Sequence, residues 1–329
     1  MKRKHPLIIV ADMGATYSRV AFIDEYYAIR HIETYLSANF ASPKEVISTY
    51  LNDINEEMPD HVFIAVATPI SNDHLVLTNN HWDFSQNETA QALNTKVTFV
   101  NDFEALSLSL NHLSQTETIE IGTHTPKASQ LLNSLPKIVI GTGTGFGTAM
   151  IIEGTQGASP ISLPSEGGHA LYAPQDSEEI KIIELAINAL DRPIIVEDFL
   201  GCKSGIPRLI TIMAEIENIR PNFPIDAVGL LNAALEYKND FAIKVLNRYC
   251  SMLGNVASNI ALTAGAFGGI YIGGGFAPRF SEFLQNSGFR EAFLNKASVN
   301  NLLEETPTYL IIHPYATLVG LQQILTRYL

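Results

Sequence analysis

Ile138-Val139-Ile140-Gly141-Thr142-Gly143-Thr144-Gly145-Phe146-Gly147-Thr148-Ala149-Met150-Ile151-Ile152 is the stretch on which the fold turns. A β-branched apolar run enters small residues and leaves as a second apolar run, which reads as strand, turn, strand. The arrangement has a counterpart near the start, where Leu7-Ile8-Ile9-Val10 leads through Asp12-Met13-Gly14-Ala15-Thr16 to a strand around Arg19-Val20-Ala21-Phe22. Two such hairpins predict a chain of two related lobes, each presenting its turn to a ligand cleft between them.

Glycine-rich turns expose backbone N–H groups that can cradle phosphate oxygens. Spacing excludes the commoner versions here. The dinucleotide fingerprint GxGxxG needs a third glycine where Phe146 or Thr148 stands, and a helix after it. The Walker A loop is absent. Two readings remain for the turn: a tight Gly/Thr hairpin with no further role, or a phosphate site using Gly141, Gly143, Gly145 and the hydroxyls of Thr142 and Thr144. Asp12 in the first turn adds a carboxylate able to hold Mg²⁺ through water, while Arg19 alone reads as a surface or salt-bridge residue.

Around these turns lie further short apolar runs, Val62 to Ala67, Val97 to Val100 and Ile270 to Ile272, which read as buried strands. Ser177 to Leu190 carries apolar residues at helical spacing, and Phe241 to Thr263 reads as a long buried helix containing Gly254. Mixed strands and helices give an α/β class. The polar segment Leu113 to Pro136 is a joint between lobes. The boundaries that follow are 1–113 plus 314–329 for a small domain and 114–313 for a large one.

At 329 residues, with 46% hydrophobic and 17% charged residues, the chain has the content for two packed cores. Its formal net charge of -13 argues against nucleic acid and anionic membrane surfaces as partners. Cys202 and Cys250 form neither a disulfide framework nor a zinc spacing, which fits a reducing cytoplasm. The basic start, Met1 to His5, is followed by an apolar run that meets Asp12 too soon for a signal peptide core, and no run is long enough for a membrane span.

Asp102 follows a buried strand, at the carboxyl end where open α/β sheets place ligands. From there a carboxylate can accept a proton; on local sequence alone the N-cap of a helix beginning Phe103-Glu104-Ala105 is the favoured reading of Asp102, and the surrounding segments reverse it. Glu166 and His169 flank two glycines, so their side chains can converge on one ligand. His81 and Trp82 read as a loop anchor.

In order along the chain, several segments carry a family signature. They are Asp12-Met13-Gly14-Ala15-Thr16, Thr78-Asn79-Asn80-His81-Trp82, Asn101-Asp102-Phe103-Glu104-Ala105, Gly141-Thr142-Gly143-Thr144-Gly145, Ser165-Glu166-Gly167-Gly168-His169, Val196-Glu197-Asp198 and Gly273-Gly274-Gly275-Phe276-Ala277-Pro278-Arg279. With these the chain resembles the bacterial glucokinases of the hexokinase and actin-like ATPase superfamily, of the type without zinc. The resemblance implies a two-domain actin-like ATPase (ribonuclease H-like) fold, with the small domain completed by a returning helix at Thr317 to Thr326. It implies ATP-dependent phosphorylation of glucose, with ATP and Mg²⁺, in a cytoplasmic homodimer. Asp102 is then the catalytic base, and Asn101, Asp102, Glu166, His169 and Glu197 surround the sugar. Asp12, Gly14, Ala15, Thr16, Gly141 to Gly145, Gly274 and Gly275 hold the nucleotide, with Mg²⁺ bound to ATP rather than directly to the protein.

Two positions depart from the family pattern. Ala15 and Tyr17 stand where a second glycine and an asparagine are usual, and a positive φ at position 15 would cost Ala15 about 1 kcal/mol. Gly201-Cys202-Lys203-Ser204-Gly205 replaces a Ser-Gly-Pro-Gly-like turn, with an expected effect on sugar preference. The alternatives are a kinase for another hexose and a sugar-sensing protein impaired in catalysis, for which Ala15 and Tyr17 are the hints.

Overall fold

The computed structural model describes residues 6–77, 80–124, 135–154 and 158–325. Met1 to His5, Thr78 and Asn79, residues 125–134 of the expected joint, and Thr326 lie outside the described residues. The chain divides into two compact units, Met1–Leu113 with Pro314–Leu329, and Ser114–His313.

In the first unit β1 (Ile8–Met13), β2 (Tyr17–Ile23), β3 (Ile29–Leu36) and β4 (His61–Val66) are followed by a hairpin of β5 (His74–Val76) with β6 (Asp83–Ser85), and by β7 (Lys96–Asn101). The main sheet has the order β3-β2-β1-β4-β7. β1 runs antiparallel to β2 and parallel to β4, and β4 parallel to β7, with Met13, Val66 and Asn101 in register at their carboxyl ends. The continuous apolar content of β1 and β4 reflects burial on both faces, as parallel strands require.

The second unit contains β8 (Thr118–Glu120), β9 (Lys137–Thr142), β10 (Phe146–Ile152), β11 (Ile161–Ser165), β12 (Gly269–Gly273) and β13 (Thr308–Ile311), in the order β11-β10-β9-β12-β13-β8. β11, β10 and β9 are antiparallel in sequence, and β9, β12 and β13 are parallel. The first five strands of that order therefore repeat the directions of the first unit's sheet. The repeat read from two hairpins extends to five strands in each unit.

Helices match their expected spans closely: Ser177–Leu190 and Asp240–Ala264. Asp176 caps the first by accepting from Glu179 N–H, and Gly265 at φ 63 closes the second. Gly254 inside the long helix is a packing requirement, since a β-carbon there would stand 2.1 Å from the Phe289 carbonyl oxygen. The returning helix spans Ala316–Leu325 and packs in the first unit against the helix Asp102–Ser109. Trp82 is fully buried and its Nε1 donates to Phe40 O at 2.7 Å, so the loop anchor has a partner. Among the described residues no helix is long and apolar enough to cross a membrane.

Candidate active site

β1 and β2 are joined by a turn fixed from several sides. Gly14 N–H donates to Tyr17 O at 3.1 Å, Ser37 N–H donates to Thr16 O at 2.9 Å, and Ser37 Oγ donates to Gly14 O at 2.9 Å. Ser37 belongs to no segment singled out in the sequence; its role follows from β3 lying beside β2. Ala15 is not among the residues at positive φ, so the expected strain there does not arise. The turn reaches its shape through Gly14 and the Ser37 contacts.

Asp12 sits one residue before the end of β1, opposite Arg19 in the hairpin register, and Arg19 Nη1 meets its Oδ2 at 3.1 Å. Burial raises the Asp12 carboxyl above the usual carboxylate range, and the Arg19 charge pulls it part of the way back.

At the end of β7 the roles of two neighbours separate. Asn101, and not Asp102, is the helix N-cap: its Oδ1 accepts from Phe103 N–H at 3.0 Å and Glu104 N–H at 3.2 Å. Its Nδ2 donates to Thr68 O at 3.3 Å. The capping expected of Asp102 thus belongs to Asn101, and Asp102 becomes the first helical residue, with its Oδ1 3.0 Å from Phe103 N. Burial, and then repulsion from Asp12, push the Asp102 carboxyl up to about 7. Such a group changes protonation near neutrality, which suits a general base.

In the second unit the turn is shorter than expected. Gly141 and Thr142 are buried strand residues, because Gly141 pairs with both Gly147 and Gly273. Thr142 has no exposed surface, so its hydroxyl is not offered to a phosphate. Gly143 to Gly145 form the open part, closed by Gly143 N–H to Gly145 O at 3.1 Å. Outside groups brace it: Cys202 N–H donates to Gly143 O at 2.9 Å and Lys203 N–H to Thr144 O at 3.3 Å. The Gly201 to Gly205 segment, expected to shape the sugar site, therefore supports the turn.

Glu197 opens the short helix Glu197–Leu200, and its Oε2 accepts from Phe146 N–H at 3.1 Å. Gly145 makes this approach possible, since a β-carbon there would stand 2.7 Å from that oxygen. Asp198 beside it is buried rather than exposed. It takes two 2.8 Å hydrogen bonds from Arg192 and an ion pair with Arg208 at 3.2 Å. Burial works to raise its carboxyl, but these partners win and hold it below the usual range.

Glu166 and His169 approach each other with Oε2 to Nδ1 at 3.1 Å, and both side chains are exposed. The loop that carries them rests on β10. Gly167 N–H donates to Thr148 Oγ1 at 3.2 Å, and a β-carbon on Gly168 would meet Phe146 O at 2.2 Å. The Gly143–Gly145 turn, Glu197 and the Glu166–His169 loop thus all contact the first three residues of β10. Gly274, at φ 92 and where a β-carbon would stand 2.6 Å from Thr142 O, and Gly275, with open space where a β-carbon would lie, complete this face.

A larger apolar groove of about 420 Å³, lined by Ile138, Met150, Leu163, Leu171, Val256 and Ile260 among others, has no titratable side chain in its wall. The chemistry belongs with the carboxylates instead.

The model for the family described as Glucokinase matches residues 9–328. The chain belongs to the glucokinase family. A glucokinase of Tolumonas auensis is 33% identical over 324 residues, which cover 95% of each chain. The crystal structure of a glucokinase from an Antarctic psychrotroph superposes with TM-score 0.83 at 29% identity, covering 98% of this chain and 100% of that one. That of Balamuthia mandrillaris glucokinase in complex with glucose has TM-score 0.75 at 17% identity, covering 98% and 94%, and shows likeness of fold. For this glucokinase-family chain, an actin-like ATPase fold is the architecture that the five-strand order repeated in the two sheets expresses.

Among the described residues no three His, Cys, Asp or Glu side chains gather as a metal centre. The residues nonetheless suit a metal that arrives with the nucleotide: Asp12 and Asp102 are two carboxylates with raised affinity for protons, and a cation relieves the same repulsion.

Proposed function

We propose that the chain transfers the γ-phosphoryl group of ATP to the 6-hydroxyl of glucose, with Asp102 as general base. The observation that carries this reading is the Asp102 carboxyl at the carboxyl end of β7, capped into place by Asn101 and raised to about 7. Glucose is oriented by Glu166, His169 and Glu197, whose carboxylates and imidazole pair with vicinal hydroxyls. Asn101 contributes its remaining amide hydrogen and holds Asp102. The phosphates lie against the turns Gly14–Thr16 and Gly143–Gly145, with Gly274 and Gly275 on the nucleotide side.

As the 6-oxygen bonds to the γ-phosphorus, its proton passes to Asp102 and the bond to the leaving ADP oxygen breaks. Mg²⁺ bound with ATP supplies charge neutralisation on the phosphate oxygens, and Asp12 would hold it through water. In this reading, supported by the family resemblance, the enzyme is a cytoplasmic homodimer, and sedimentation equilibrium of the purified chain tests the dimer. The sensor alternative loses its main support, since Ala15 carries no positive φ.

The experiment is a coupled assay with Mg²⁺-ATP and glucose, mannose, fructose or acetate, run on wild type and Asp102→Ala. Glucose-dependent ADP formation that disappears in the variant is expected. Near-normal turnover of Asp102→Ala would remove the base assignment, and calorimetric glucose binding without any turnover would restore the sensor.

A further inference from the structure

Of the described residues from Ser165 to Gln175, only Gly168 and Tyr172 are buried, and Leu171 is 68% exposed. Tyr172 is therefore the side chain that anchors the Glu166–His169 loop in the core of the second unit, three residues after His169. Backbone pairing extends this anchor toward Glu197. Tyr172 N–H donates to Ile194 O and Val196 N–H donates to Ala170 O, both at 2.9 Å, with Leu171 opposite Ile195 between them. The Tyr172 ring also stands edge-on to Phe199 of the helix Glu197–Leu200, with centroids 5.6 Å apart. One short ladder thus joins the segments that bear Glu166, His169 and Glu197, and Tyr172 is its buried end.

Tyr172 is itself held by a buried carboxylate that the mechanism above does not use. Its hydroxyl donates to Glu179 Oε2 at 2.9 Å, and Glu179 is 1% exposed. The same oxygen accepts from Gln175 N–H at 2.8 Å, and Oε1 accepts from Arg248 Nη1 at 3.3 Å. All three partners are donors. An ionised carboxylate accepts on both oxygens, whereas an amide of the same shape must turn its NH2 group toward a donor on one side. Asn255, also buried, fixes the next residue of the chain: its Nδ2 donates to Ala173 O at 2.7 Å, and its Oδ1 accepts from Lys296 Nζ at 2.6 Å.

Resting on the sugar roles given above to Glu166 and His169, we propose that Glu179 and Tyr172 are positioning residues for glucose. Glu179 fixes the Tyr172 hydroxyl, and Tyr172 sets where the loop with Glu166 and His169 stands. The exposed side chains of the loop have no core contacts with which to do this. A hydrogen-bonding group displaced by a fraction of an ångström loses much of its contribution, so the placement of this loop translates into affinity for the sugar. The Gly143–Gly145 turn is braced separately by Cys202 and Lys203 N–H, so ATP affinity should not follow.

The test compares wild type, Glu179→Gln, Tyr172→Phe, His169→Ala and the double variant of Glu179→Gln with His169→Ala, by glucose calorimetry and steady-state kinetics. Glu179→Gln keeps the side-chain volume and Tyr172→Phe keeps the ring on Phe199, so each covers for the other if one folds poorly. Glucose affinity should fall about tenfold in His169→Ala, about tenfold in Glu179→Gln and about threefold in Tyr172→Phe, with ATP KM within about twofold of wild type. Positioning predicts that the losses do not add: in the His169→Ala background, Glu179→Gln should cost less than about threefold more. Glucose affinity within about twofold of wild type in both Glu179→Gln and Tyr172→Phe would overturn the proposal, as would a full tenfold loss on top of His169→Ala. Unchanged glucose affinity in His169→Ala would instead refute the sugar role of the loop, and the proposal with it.

Discussion

Gly320 lies directly on the backbone of Ala105: a β-carbon built on Gly320 would stand 1.6 Å from the Ala105 carbonyl oxygen. The helix Ala316–Leu325 thereby closes on the helix that begins at Asp102. Gly320→Ala must push the two apart, at an expected cost of about 1–3 kcal/mol or more. Its melting temperature and kcat should both fall, with glucose KM changing least. An unchanged melting temperature would show that the helices do not meet there.

The raised Asp102 carboxyl makes two linked predictions for pH. The base works ionised, so kcat/KM should rise with pH through about 7 on its acid limb. For stability the sign is opposite. The folded-state value lies above the ordinary 3.8, so this group's contribution is fully present below 3.8 and is lost as pH rises through about 7. Asp102→Asn should abolish the limb and, allowing for water reaching a half-buried group, gain on the order of 1–2 kcal/mol over wild type at pH 8. Denaturant melts at pH 5 and pH 8 check the second part; equal differences at the two values would contradict it.

Two glycines proposed to face the nucleotide should respond in opposite ways. Nothing lies within 4 Å of a β-carbon on Gly143, so Gly143→Ala should fold normally and raise ATP KM about tenfold by crowding a phosphate. Gly274 has φ 92 and its β-carbon would meet Thr142 O at 2.6 Å, so Gly274→Ala should lose stability by about 1–3 kcal/mol. Thermal melts beside ATP KM values separate the two. An unaltered ATP KM in Gly143→Ala would move the phosphates elsewhere.

Glu197 braces the Gly143–Gly145 turn through Phe146 N–H, in addition to the sugar contact proposed for it. Glu197→Gln keeps an acceptor for Phe146 N–H and should melt close to wild type, whereas Glu197→Ala leaves that donor unpaired and should cost about 1–3 kcal/mol. Steady-state kinetics should show ATP and glucose KM both raised in the alanine variant. A change confined to glucose would leave Glu197 with no part in holding the turn.

Ala15→Gly, which restores the family's usual residue, should not improve ATP affinity. Ala15 has no positive φ for glycine to relieve, and the extra chain freedom should cost about 0.4–1 kcal/mol. A clear fall in ATP KM would show that the turn is strained.

The fold was legible because its signal is local. Runs such as Ile138 to Ile140 are apolar on both faces and are interrupted by glycine, which leaves little choice but a buried strand and a turn. The roles within the site were harder to read where they depend on distant partners. Asp102 and Asn101 are both favoured N-cap residue types, and only the strand end of β7 decides that Asn101 is the cap. Thr142 looks like part of the turn until its register partner Phe146 is seen to carry β9 as far as this residue. Ser37 and the backbone of Cys202 and Lys203 act through position alone, and their residue types say nothing about it.

The first unit is interrupted in sequence: its sheet is complete by Asn101, yet the helix that covers Asp102–Ser109 is encoded after the whole of Ser114–His313. A ribosome adding roughly 5–20 residues per second leaves that surface uncovered for on the order of tens of seconds. The nascent chain must keep the partly built unit soluble while the second unit forms. The helix that starts at Asp102 therefore gains its covering partner only after the last residues of the chain have been made.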